Sequence, residues 1–142
     1  MVVLDSSAIL AFLWDEPGTD VVAEALQTGE AACTVANWAE VATKVMAAGG
    51  SWDDAEEALF GLRLAIIPLT ADDAVAAGHL WLEHRNLSLG DRLCLAVAMR
   101  QKAQTLTADT EWAAVTPLVQ LIRPAKGQQD DTVQVPGYTP GS

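Results

Sequence analysis

Five short apolar or β-branched stretches, at residues 1–4, 31–35, 65–69, 104–107 and 119–122, are separated by segments of helical pattern. No tight hairpin turn joins any two of them, so successive strands must run parallel and be linked by crossovers. A parallel sheet needs cover on both faces. The expected fold is therefore α/β, three layers deep, with a mostly parallel five-stranded sheet between helices.

The helices are delimited by their own chemistry. Ser6 and Ser7 offer caps ahead of an apolar run at 8–14, and a second helix is expected at 19–26 after the Asp15–Gly18 break. A third is expected at 36–48, where Trp38, Val41, Val45 and Met46 share a side and Gly49 and Gly50 end the pattern. Ser51 caps a helix to residue 62, and Thr70 with Asp73 heads another at 71–85. A buried helix at 91–102 and a short one at 109–114 complete the set. Twenty-five alanines against ten glycines agree with this helical content. Residues 1–124 read as one domain, and the polar, Gly- and Pro-containing stretch 125–142 reads as a flexible tail.

Charge narrows the function. Nineteen acids against eight bases give −11, which excludes a protein that coats nucleic acid by general electrostatics. No stretch is apolar and long enough to span a bilayer, and the N-terminus lacks the basic region of a secretory signal. Cys33 and Cys94 form no zinc or CxxC pattern and fit a reducing, cytoplasmic setting.

Four acids stand at the ends of elements or on a helix face: Asp5 after the first strand, Glu40 in the third helix, Asp91 at the head of an apolar helix and Asp109 after the fourth strand. In open parallel sheets ligands gather beyond the carboxyl ends of strands, so Asp5 and Asp109 share a rim if their strands are neighbours. Each acid has an ordinary alternative: Asp5 and Asp109 as helix caps, Asp91 as a partner of a helix dipole, Glu40 as a surface pair with Lys44. Their joint occurrence is what carries weight.

The motifs VVLDSSAILAFL, NWAEV, LSLGDRLCLAVA and LTADTEW occur in an order and spacing that resemble the PIN-domain family, above all the VapC-type toxins of bacterial toxin–antitoxin pairs. The resemblance covers residues 1–123 and implies a PIN-like fold. It assigns Asp5, Glu40, Asp91 and Asp109 as catalytic, metal-binding acids, with Ser7 and Thr107 supporting them. It implies endonucleolytic cleavage of RNA, a homodimer, and restraint by a cognate VapB-like antitoxin.

Physical chemistry is compatible with that assignment. Two carboxylates about 5 Å apart repel by roughly 3 kcal/mol at an effective dielectric of about 20, which protonation or a hard cation relieves. Mg²⁺, or Mn²⁺ in its place, suits oxygen ligands and polarises a phosphodiester toward attack by water. Arg85, Arg92, Arg100 and Lys102 surround Asp91 in sequence, which marks Arg92 as an RNA contact if the patch holds a phosphate backbone. Two alternatives stay open: another Mg²⁺-dependent phosphoesterase on a similar sheet, or a non-catalytic interaction module. Asp5-Ser6-Ser7 lacks the DxD of aspartyl phosphatases, and IIPLT lacks the acid a receiver carries.

Overall fold

The computed structural model describes residues 1–124; the expected tail at 125–142 lies outside the described residues. Strand β1 (Val2–Leu4) leads into α1 (Ser6–Leu13) and α2 (Thr19–Gln27). Strand β2 (Ala31–Thr34), helices α3 (Val35–Ala47) and α4 (Trp52–Gly61), and β3 (Ala65–Ile67) complete the first half. Helices α5 (Ala71–Trp81) and α6 (Leu89–Gln101) precede β4 (Gln104–Thr107), a 3-10 turn (Thr110–Ala114) and β5 (Val119–Leu121).

The sheet order is β3-β2-β1-β4-β5, and all four pairings are parallel. Side chains alternate across it as a strand requires. Leu4 and Cys33 enter the cluster formed with α1, α2, α3 and α4, while Val3 and Ala32 enter the cluster formed with α6 and Trp112. The sheet thus separates two apolar layers, as the strand–helix alternation predicts. Cys33 and Cys94 belong to opposite layers, and both are free thiols. Among the described residues no helix is long and apolar enough to cross a membrane.

Several boundaries differ from expectation: α1 begins at Ser6 because Asp5, and not Ser6 or Ser7, is its cap, and β3 ends at Ile67 ahead of Pro68. Helix α5 stops at Trp81, four residues early, and the chain turns so that Leu87 enters the core while Leu82 stays exposed. Helix α6 begins at Leu89 because Ser88 is its cap: Ser88 Oγ accepts from Asp91 N, and Asp91 Oδ2 accepts from Ser88 N, both at 3.1 Å. Asp91 is therefore inside the first turn instead of opening the helix. On α3, Val41 and Val45 face the core, Trp38 packs between Trp52 and Phe60, and Met46 points to solvent.

The chain winds outward from β1 through β2 to β3, then crosses back to place β4 on the other side of β1. This reversal is a switch point, and in open parallel sheets the crevice beyond the carboxyl ends of the strands there, here β1 and β4, is the expected ligand site.

Candidate functional site

Asp5 follows β1 directly at that crevice. Its backbone N–H donates to Leu106 O at 3.1 Å, continuing the β1–β4 ladder in which Leu4 faces Leu106. The side chain caps α1: Oδ1 accepts from Ala8 N at 2.8 Å and from Ser7 Oγ at 2.7 Å. Oδ2 accepts from Thr107 Oγ1 at 2.6 Å. Asp5 is only 3% exposed, and burial pushes its carboxyl from 3.8 up to about 6. The Thr107, Ser7 and Ala8 bonds pull the other way, and nearby Asp91 adds a smaller upward push.

Two hydroxyls tie this carboxylate to the end of β4. Thr107 Oγ1, besides donating to Asp5, accepts from Asp109 N at 3.0 Å, and Ser7 Oγ accepts from Ala108 N at 2.9 Å. Asp109 itself caps the 3-10 turn through Oδ1, which accepts from Glu111 N at 3.0 Å. Asp5 and Asp109 therefore share a rim through Thr107, while the carboxylate of Asp109 is directed to its own turn.

Glu40 and Asp91 come from α3 and α6, and Asp91 is near enough to act on the Asp5 carboxyl. Glu40 bonds to Asn37, whose Nδ2 donates to Oε1 at 2.5 Å; the expected ion pair with Lys44 does not form. The carboxylate lies against Gly90, where a Cβ would stand 2.7 Å from Oε1. Gly90 thus admits Glu40 beside Asp91. Cys94, one turn beyond Asp91 and fully buried, feels Asp5, Asp91 and Glu40 together: burial, then these charges, push its thiol well up. It has no thiolate to offer.

Among the described residues no three acidic, His or Cys side chains are drawn close enough to grasp an ion. Asp5, Asp91 and Asp109 each accept backbone N–H groups, so the ordinary capping roles are real. The donor set nevertheless suits a hard cation. It is all oxygen, the second lone pair of Asp5 Oδ2 is not used by the bonds above, and the buried Asn37 Oδ1 has no donor.

The basic stretch is largely committed to the fold. Arg92 donates from Nη1 to Ala77 O at 2.8 Å and from Nε to Leu87 O at 3.4 Å. Arg100 pairs with the buried Asp73, and Arg85 lies over the Trp81 ring, 4.6 Å from its centroid. Asn37 and Gly90 are the site residues that sequence reasoning passed over. An amide and a carboxylate three apart on one helix was the available signal for Asn37.

A family profile described as PIN domain matches residues 2–116. A comparison with curated proteins found no match. Among solved structures, a toxin–antitoxin complex from Klebsiella pneumoniae superposes with a TM-score of 0.70 at 20% identity, over 88% of this chain and 100% of that one. VapBC2 from Rickettsia felis, bound to a promoter DNA fragment, gives 0.63 at 18% identity, over 85% and 97% of the two chains. Mycobacterium tuberculosis VapC20, a sarcin–ricin loop cleaving toxin, gives 0.62 at 18%, over 81% and 95%. At these identities the structural likeness is one of fold.

Proposed function

The chain belongs to the PIN-domain family, and from that premise we propose that it is a divalent-metal-dependent endoribonuclease of the toxin type, held in check by an antitoxin. What supports the reading is the arrangement at the carboxyl ends of β1 and β4. A buried carboxylate, Asp5, is tied through Thr107 to Asp109, and Glu40 is seated against the residue before Asp91.

In this reading Asp5, Glu40, Asp91 and Asp109 hold Mg²⁺, or Mn²⁺ in its place. Bound there, the ion would polarise the scissile phosphate and make water a better nucleophile at neutral pH. Asp5 is the anchor, because α1 and two hydroxyls fix its orientation before any substrate arrives. Ser7 and Thr107 keep it from rotating and hold the end of β4 in register with it. Arg92, with Nε and Nη1 engaged by carbonyls, has Nη2 left to meet an RNA phosphate beside the rim. Water attacks the phosphodiester directly, and the chain needs no Ser or Cys nucleophile; the raised Cys94 thiol is suited to none.

The partners follow from the family picture. VapC-type proteins named in the comparisons stand in complexes with antitoxins, and for this chain we propose a VapB-like antitoxin, a homodimer and a cytoplasmic setting. The second reading, a non-catalytic interaction module, draws on the capping bonds that three of the acids already make.

Purified protein incubated with a structured RNA separates the two readings. The nuclease reading expects cleavage with Mg²⁺, none with EDTA, and none for Asp5→Asn. Cleavage that survives EDTA removes the metal mechanism. No cleavage of any RNA under saturating Mg²⁺ favours the module.

A further inference from the structure

The amide of Asn37 is oriented by chemistry. Glu40 Oε1 can only accept, so the group facing it at 2.5 Å must be Nδ2, and the other end of the amide is the carbonyl oxygen. That oxygen is buried and has no donor, in a side chain that is 0% exposed. Burying an acceptor without a donor is costly, and an apolar residue of similar volume would avoid the cost. The fold keeps the amide at a helix position that reaches the Glu40 carboxylate, and Gly90 packs against that same carboxylate.

We propose that Asn37 is a positioning residue of the rim: with Gly90 it fixes the Glu40 carboxylate beside Asp91, in the orientation a divalent cation would meet. Holding a ligating carboxylate by a hydrogen bond from a neighbouring side chain is how outer groups raise metal affinity. The inference rests on the metal-dependent reading above and adds to it the residue that orients one of its carboxylates.

Calorimetric titration of Mn²⁺ into the full chain tests this, alongside thermal melting in EDTA. Asn37→Leu removes donor and acceptor while keeping volume. It is expected to melt no lower than the unsubstituted protein, yet to bind Mn²⁺ about tenfold more weakly. Gly90→Ala keeps every polar group and gives α6 a better helix former, but displaces Glu40; it is expected to fold and to lose affinity similarly. Unchanged Mn²⁺ affinity in either folded variant overturns the inference and leaves the metal reading standing. If Asn37→Leu does not fold, Gly90→Ala decides. No Mn²⁺ binding by the unsubstituted protein overturns both.

Discussion

Thr107 Oγ1 donates to Asp5 Oδ2 at 2.6 Å between the ends of β4 and β1, and Thr107 Oγ1 also accepts the backbone N–H of Asp109 at 3.0 Å. One hydroxyl thus holds two elements of the rim. Thr107→Val keeps the shape and removes both bonds. It is expected to cost about 1–3 kcal/mol, read as a lower thermal midpoint, because a buried carboxylate oxygen and a backbone N–H lose their partner. The Thr107 bond also lowers the Asp5 pKa, so the acid limb of the cleavage pH profile should move to higher pH.

Asp5 makes a signed prediction about metal-free stability. Its carboxyl titrates near 6 in the fold against 3.8 as an ordinary Asp, so between these values the folded state binds more protons than the unfolded one. Stability contributed by Asp5 should therefore fall as pH rises through that window, by about 3 kcal/mol in all. Urea melts in EDTA at pH 4 and pH 7 should show that loss, and Asp5→Asn should flatten it. An Asp5→Asn protein with the same pH slope would show that another group sets it.

Asp73 predicts the opposite sign at a distance from the rim. Hydrogen bonds from Arg100, at 2.7 and 3.1 Å, hold its carboxyl below the ordinary range. Its contribution is present above the unfolded Asp value and is lost as pH falls through the folded one. Arg100→Leu should lower the thermal midpoint at pH 7, lower it less in strong acid, and leave RNA cleavage per folded molecule intact.

Asp91→Asn should separate capping from catalysis. Asparagine keeps an acceptor for Ser88 N, so the capping box survives in part. The lost charge at the helix N-terminus costs about 0.3–1 kcal/mol, and relief of repulsion with Asp5 offsets some of it. Thermal melting in EDTA should change by only a few degrees while cleavage disappears. A drop of tens of degrees would assign Asp91 to the fold alone.

The parts of this molecule that depend on local chemistry were legible from its sequence. Strand–helix alternation predicted the parallel sheet, and the caps at Ser51 and Thr70 fell where serine and threonine chemistry placed them. The pairing of β1 with β4, which puts Asp5 beside Thr107, followed only conditionally, because strand order is a property of the whole chain. Partners distant in sequence were illegible. A run of arginines reads as a basic patch until Asp73, twenty-seven residues before Arg100, claims one of them and the carbonyls of Ala77 and Leu87 claim Arg92. Glu40 read as a partner for Lys44 by helical spacing, whereas Asn37 on the same face engages it.

In the proposed reading Asp5, Glu40, Asp91 and Asp109 share one cation at the carboxyl ends of β1 and β4. Anomalous diffraction from crystals soaked in Mn²⁺ addresses it directly. A peak is expected at that rim, about 2.1 Å from carboxylate oxygens of at least two of the four acids. A saturated soak with no peak there, or a peak held by other residues, contradicts it.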